Sequence, residues 1–377
     1  MIDDRRARMA LACVTEPGDP ELQRQIQLYG PQEVWERLSG AEHGETNQAW
    51  ARRARAVDLD AVQRIAETAG LQYLVPGDPH WPGHLADLDH CEPVADMRGA
   101  PLGLWTRGDT SLLRGLRDRG VAIVGSRAAT AYGDHMALEF AAEFTTQGWV
   151  VVSGGAYGID AAAHRGVLAT GGATVCVLAC GVDSSYPRAH ERLLADIATS
   201  GLLVGELPPG ANPMRSRFLS RNRLIAGLTA GTVVVEAAMR SGARNTASWA
   251  EALSRPIMAV PGPVTAANSW TPHQLIRSQG AELVTCAGEA IEYLAPLGQA
   301  LLPIPAGGAE RAFDRLPARA QQVFEHLPST GWVSAEQIAA GCGLPPATVW
   351  QELNGLLDRA MVRRTRTGWQ AVPAAAR

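Results

Sequence analysis

The stretch Val121–Asp160, VAIVGSRAATAYGDHMALEFAAEFTTQGWVVVSGGAYGID, constrains the fold more than any other part of this chain. Val121–Val124 is a short, mostly β-branched apolar run closed by Gly125. Ala131–Thr146 has helical composition and sets Ala137, Leu138, Phe140, Ala141 and Phe144 toward one side. Trp149–Val152 is a second apolar run, closed by Ser153-Gly154-Gly155. Two apolar strands around one helix predict a βαβ unit, whose parallel strands are joined by a right-handed crossover. Both glycine turns then fall at the carboxyl ends of neighbouring strands, where open α/β sheets hold their ligands.

The same alternation continues downstream. Further strands are expected at Ala173–Leu178, Leu202–Val204, Thr232–Glu236, Ile257–Val260 and Glu282–Val284. Helices are expected at Asp160–Ala169, Ala189–Thr199, Arg221–Gly227, Asn245–Leu253 and Pro272–Ser278. The fold class that follows is α/β, a doubly wound, Rossmann-like parallel sheet of seven strands over residues 111–295.

The flanks read differently. Residues 1–70 are predicted to form a small all-α module, with helices at Pro20–Tyr29, Pro31–Leu38 and Leu59–Ala69 punctuated by Gly30, Gly40 and Gly70. A helix-hairpin-helix DNA binder would need a glycine turn, and the candidate here, Glu16-Pro17-Gly18-Asp19, places two acids beside it. Packing or docking is the better reading of that module. Residues 71–110, rich in Pro, Gly and Trp, are expected to be an ordered connector with one or two short strands, such as Leu102–Trp105. His80, His84 and His90 fall there at no metal-ligand spacing. Residues 296–315 read as a Pro/Gly/Ala linker. Residues 316–377 read as three helices and a basic hairpin, a winged-helix arrangement. Ser334 and Gln337 stand as a capping box, and Arg363, Arg364 and Arg366 lie on the wing.

Charge narrows the chemistry. A net charge of −4 argues against indiscriminate coating of nucleic acid, so any polyanion site must be a local patch. All 34 basic residues are arginine, which excludes Schiff-base catalysis and a P-loop lysine. Every phosphate contact by a basic side chain must then use a guanidinium fork. Six scattered cysteines without a CxxC pair read as free thiols in a reducing cytoplasm, and no metal or cofactor is expected. No apolar run approaches the ~20 residues that span a bilayer, and the N-terminus lacks a signal-peptide core, so a cytoplasmic protein without a membrane partner is expected.

Four motifs carry the candidate site. Gly125-Ser126-Arg127 offers a tight turn, a hydroxyl and a fork for an oxyanion, and it is not a dinucleotide fingerprint. Ser153-Gly154-Gly155-Ala156-Tyr157-Gly158 places three glycines in five residues before a helix, an arrangement that can free backbone amides for an anion. Asp160 is placed to cap that helix, with His164 one turn on. Arg215–Leu228, RSRFLSRNRLIAGL, sets Arg215, Arg217, Arg221 and Arg223 with Asn222 at a helix start, the wrong end to complement the helix dipole. Glu236 ends a strand, where it could bind a ribose hydroxyl or orient arginines, and Arg240-Ser241-Gly242-Ala243-Arg244-Asn245-Thr246-Ala247 follows as another glycine-containing loop into a helix.

Together these motifs resemble the DNA-processing protein A family (DprA, also called Smf). The resemblance runs through V-G-S-R at Val124–Arg127, S-G-x-A-x-G-I-D-x-x-A-H at Ser153–His164, Tyr186-Pro187, F-x-x-R-N-R-x-I-A-G-L at Phe218–Leu228, then V-E-A, S-G and P-G. It covers residues 70–295, and the flanking modules match only in kind. The chain departs from the family pattern at Ser241–Ala247, where an arginine is added, at Thr271–Ile276, and at Gly205-Glu206. The resemblance implies a homodimeric, non-catalytic binder of single-stranded DNA that protects incoming strands and loads the RecA recombinase during natural transformation. The DNA- and phosphate-binding set expected on this reading is Gly125, Ser126, Arg127, Ser153, Gly154, Gly155, Ala156, Gly158, Arg217, Phe218, Arg221, Asn222, Arg223, Ser241, Gly242 and Arg244. Tyr157 or Phe218 would stack on a base. The alternative is a nucleotide-binding enzyme or sensor of the phosphoribohydrolase type, although the P-G-G-x-G-T-x-x-E loop of those enzymes is missing here.

Overall fold

The computed structural model describes residues 2–40, 47–295, 313 and 315–372. The expected linker, 296–315, lies outside them except at Phe313 and Arg315. The chain divides into two compact units, Met1–Ile304 and Pro305–Arg377.

Nine strands form one sheet in the first unit: β1 (Gln72–Leu74), β2 (Leu104–Gly108), β3 (Gly120–Val124), β4 (Val150–Gly154), β5 (Thr174–Val177), β6 (Leu202–Gly205), β7 (Gly231–Val234), β8 (Ile257–Ala259) and β9 (Glu282–Leu283). Their order is β1-β2-β6-β5-β4-β3-β7-β8-β9. The seven strands from β3 to β9 pair in parallel, as their apolar runs predict. The segment 71–110 adds two more strands than the seven of the parallel set, both antiparallel: β2 pairs with β6 and β1 with β2. The sheet is therefore mixed.

Alternation along the central strands feeds two layers. Ala122, Val124, Val152 and Val234 face a core shared with Leu224, Ile225 and Leu228 of the Arg215–Leu228 helix and Trp249 of the Gly242–Ala252 helix. Val121, Ile123, Val151 and Val233 face the opposite core, with Phe140 and Phe144 of the Ala131–Thr146 helix and Ile159 and Val167 of the Ile159–Ala169 helix. From β3 the chain winds outward through β4, β5 and β6, then returns to place β7 on the other side of β3. That reversal opens a crevice between the carboxyl ends of β3 and β7.

The N-terminal module comprises helices Asp4–Val14, Pro20–Gly40, Gln48–Ala54 and Leu59–Thr68. The second breaks at Gly30 (φ 78°, ψ 158°) and restarts at Pro31, as the punctuation predicts. Two of the three histidines of 71–110 have hydrogen-bond partners: His80 Nδ1 meets Thr110 Oγ1 at 2.6 Å and His84 Nε2 meets the Leu228 carbonyl at 3.1 Å. The second unit holds helices Ala318–Glu325, Ala335–Cys342 and Pro346–Asp358 and the hairpin β10 (Val362–Thr365)–β11 (Gly368–Ala371), packed on a core of its own. The Ser334–Gln337 capping box is formed. Arg364 of the hairpin lies 5.0 Å from the Trp350 ring and 5.2 Å from that of Trp369.

Candidate functional site

The crevice is a cleft of about 740 Å³ at the ends of β3 and β7. Its lining includes Ser126, Arg127, Asp160, Arg215, Phe218, Arg221, Asn222 and Arg240, four arginines to one acid. A smaller pocket of about 120 Å³ adjoins it, walled by Arg127, Tyr157, Tyr186, Pro187 and Phe218.

Close packing explains the first glycine turn. A Cβ on Gly125 would run into Ile159 and the Glu236 carbonyl. Ser126 is buried, and its backbone N–H donates to the Glu236 carbonyl at 2.5 Å while its Oγ accepts from the Ala128 N–H at 3.1 Å. The hydroxyl therefore braces its own loop. Arg127 stands exposed, with its guanidinium 4.6 Å from the centre of the Phe218 ring. Phe218 in turn lies 5.8 Å from the Tyr186 ring, so an arginine and two aromatics form one continuous wall.

The second turn, expected as an anion cradle, is held on several sides by the protein's own groups. Ser153 still belongs to β4, is fully buried, and donates through Oγ to the Ile123 carbonyl at 2.6 Å. Gly154 is a contact surface for Arg221, whose guanidinium a Cβ there would strike. The carbonyls of Gly154 and Gly155 accept from His164 Nε2 (3.1 Å) and His190 Nδ1 (3.0 Å). Gly158 has φ 73°, and a Cβ there would meet the carbonyls of Ser126 and Arg127, so this glycine locks one turn to the other. The Ala156 amide is taken by Asp160, the protein's own carboxylate. Burial pushes that carboxyl up to about 6, while the Arg221 guanidinium 3.9 Å away pulls it back. His164 does not pair with Asp160. It bridges Gly154 and Thr174 in the interior, and burial pushes it down to about 4.

The four arginines of the Arg215–Leu228 helix go four ways. Arg215 is exposed on the cleft rim. Arg217 forms a two-pronged ion pair with Glu16 of the N-terminal module, at 2.8 and 2.9 Å. Arg221 is buried at the cleft floor, where Nη1 donates to the Val177 carbonyl at 2.8 Å. Arg223 corrects the expected site. It is fully buried, grips both Glu206 oxygens at 2.7 and 2.8 Å, and donates to the Gly99 carbonyl at 2.6 Å. A guanidinium so enclosed cannot meet a phosphate in the cleft. Glu206 is the nearest acid in sequence to this arginine run, and it is the partner.

Asn222 reaches across the cleft, with Nδ2 donating to the Gly242 carbonyl and to Asn245 Oδ1, each at 3.2 Å. Ser241 caps the next helix, Gly242 lines the cleft, and Arg244 leans toward Trp270 at 5.9 Å outside the lining set. Glu236 is buried and accepts from Thr130 N (2.9 Å) and Oγ1 (2.6 Å), anchoring the start of the Ala131–Thr146 helix. It is not free for a ribose. The charged and aromatic lining residues outside the expected DNA- and phosphate-binding set are Asp160, Tyr186, Arg215 and Arg240. Arg240 opens the glycine-containing loop that the sequence singles out after Glu236, and it is the basic residue between the end of β7 and Ser241. Among the described residues, no group of three or more His, Cys, Asp or Glu could hold a metal ion, and no helix is long and apolar enough to cross a membrane.

Comparison with known proteins places this geometry. Residues 72–295 match the family described as DNA recombination-mediator protein A. A Mycobacterium tuberculosis protein with the provisional name DNA processing protein DprA is 42% identical over all of this chain and 97% of its own length. The DNA processing protein DprA of Streptococcus pneumoniae is 38% identical over 54% of this chain and 71% of its own. Its X-ray structure superimposes with a TM-score of 0.64 at 28% identity, covering 77% of this chain and 98% of that one. A Helicobacter pylori DNA processing protein A, whose structure concerns its mode of binding single-stranded DNA, gives a TM-score of 0.52 at 26% identity over 60% of this chain and 97% of that one.

Proposed function

The chain belongs to the DNA recombination-mediator protein A family, the DprA or Smf proteins, and on that premise we propose that it binds single-stranded DNA along the cleft between β3 and β7. The observation that carries this reading is the wall formed by Arg127, Phe218 and Tyr186 beside a cleft holding four arginines and one acid. Guanidinium forks suit phosphates. An aromatic face suits any unpaired base, at about 1–3 kcal/mol per stacked base, without regard to sequence. Arg127, Arg215 and Arg240 are the phosphate contacts of this reading, Arg221 is their buried support, and Phe218 is the stacking platform. The chain would act as a homodimer that protects a strand taken up during natural transformation and hands it to a RecA-type recombinase. That part rests on the family, and sedimentation mass and recombinase filament assembly on protein-coated strands are its tests.

A binding role is favoured over turnover because the groups suited to acid–base work are engaged elsewhere. His164 is sealed among backbone partners, and Asp160 faces Arg221. Release of free base from nucleoside monophosphates by the purified protein would overturn that preference. The direct test is Arg127→Ala. Affinity for a single strand should fall, and the slope of log affinity against log salt should shrink by about 0.7 once that phosphate is no longer neutralised. Unchanged affinity and slope would remove Arg127 from the interface.

A further inference from the structure

The turn Thr15–Asp19 joins the first two helices of the N-terminal module and reaches the amino end of the Arg215–Leu228 helix. It is braced. Thr15 Oγ1 donates to the Leu11 carbonyl at 2.7 Å, and the Arg98 N–H donates to the Gly18 carbonyl at 3.1 Å. Asp19 Oδ1 accepts from the N–H groups of Glu21 and Leu22 at 3.0 and 3.1 Å. From this fixed turn, Glu16 takes Arg217 with both carboxylate oxygens, Oε2 from Nε at 2.9 Å and Oε1 from Nη2 at 2.8 Å. Nη1 of the same arginine donates to the Asn212 carbonyl at 2.7 Å. The next residue, Phe218, is the ring that carries Arg127.

A carboxylate and a phosphate present the same paired oxygens to a guanidinium fork. We propose that Glu16 is an internal competitor for the strand: Arg217 takes a phosphate only by giving up Glu16, so the N-terminal helical module sets the affinity of the cleft. The inference rests on the single-strand reading of that cleft. Exposure separates this pair from the Arg223–Glu206 pair on the same helix. The Glu16 side chain is 46% exposed and that of Arg217 is 16% exposed, so solvent and a passing phosphate reach the contact. Arg223 and Glu206, at 0% and 8%, are closed to exchange. Glu16 therefore acts as a removable placeholder, and Glu206 as a permanent partner.

A double-mutant cycle on the full chain tests this, with a fluorescent oligothymidylate titrated at fixed salt. Glu16→Gln should tighten binding two- to fivefold, the range that a partly exposed ion pair is worth. Glu16→Asp keeps the charge but shortens the reach, and it should also tighten binding. Arg217→Ala should weaken binding, and adding Glu16→Gln to it should change nothing further. Unfolding midpoints equal to that of the unaltered chain confirm that the Glu16 variants are folded. The proposal fails if Glu16→Gln leaves affinity unchanged, or tightens it equally in the Arg217→Ala background, since a general field effect would do the latter. Failure of the underlying reading looks different: the unaltered chain would not bind the oligomer, whereas a silent Arg217→Ala in a chain that still binds would sink this proposal alone.

Discussion

A buried imidazole and a buried carboxyl flank the Gly154-Gly155 turn, and burial moves them in opposite directions. His164, ordinarily near 6.5, is pushed down to about 4. Between those values the folded chain holds fewer protons at this residue than the unfolded chain. Its contribution to stability is therefore complete above about pH 6.5 and is lost as the pH falls toward 4. Asp160, ordinarily near 3.8, is pushed up to about 6, so between those values the folded chain holds more protons than the unfolded one. Its contribution declines as the pH rises from about 4 to 6. The two slopes oppose each other over most of the same window and mask each other in the unaltered protein. Single variants should unmask them. Relative to the unaltered chain, His164→Gln should gain stability as the pH drops from 6.5 to 4, and Asp160→Asn should gain it as the pH rises from 4 to 6. Each difference should approach about 1.4 kcal/mol per pH unit. Urea-unfolding midpoints measured across this window read the slopes independently of any fixed cost of substitution. A flat difference for His164→Gln would mean that the imidazole is not held neutral in the fold.

At the scale of elements, the Arg215–Leu228 helix shows where sequence reading stops. The helix itself was legible, and so was its concentration of arginines at the wrong end for the dipole. The direction of each arginine was not. From Ser220 to Leu228 every residue is buried, so no polar stripe marks one face against another. Arg221 and Arg223 look alike in sequence, yet one floors the cleft and the other bolts the helix to Glu206, at the start of the loop after β6, and to the backbone at Gly99. The parallel strands β3–β8 were legible because strands buried on both faces need continuous apolar runs, whereas β9 at the sheet edge is exposed at both residues. In 71–110 a short strand was legible near the place of β2, but β1 and the antiparallel pairing of both were not, since three- and five-residue strands among Pro, Gly and Trp carry little periodic signal. The bolt carries its own prediction. Arg223→Ala strands the Glu206 carboxylate in the interior and should cost about 3–5 kcal/mol, as breaking a buried pair does. The Arg127→Ala variant, altered at an exposed side chain, should unfold at the denaturant concentration of the parent. Equal midpoints for Arg223→Ala and the parent would show that Glu206 finds another partner.

The chain as a whole is net negative, and its larger unit carries a strongly basic cleft. A net charge of −4 repels a polyanion at long range, so binding must come from short-range contacts in the cleft. Every candidate phosphate ligand there belongs to Met1–Ile304. Each unit has buried clusters built from its own residues: in the second, Leu316, Val323, Ile338, Val349, Leu353 and Trp369 pack with one another. A unit with such a core should persist by itself. A chain ending at Ala295 should therefore fold, and it should bind oligothymidylate with the affinity of the full chain, within about twofold, and with the same salt slope. The second unit offers Arg363 and Arg366, both exposed on the hairpin, with Gln351 and Asn354 exposed on the Pro346–Asp358 helix. If those arginines also grip the strand, truncation at Ala295 would flatten the slope by about 0.7 for each phosphate they neutralise. Titrations of the two chains at several salt concentrations separate these outcomes, because removing an arginine from a phosphate changes the slope and a merely altered fold does not.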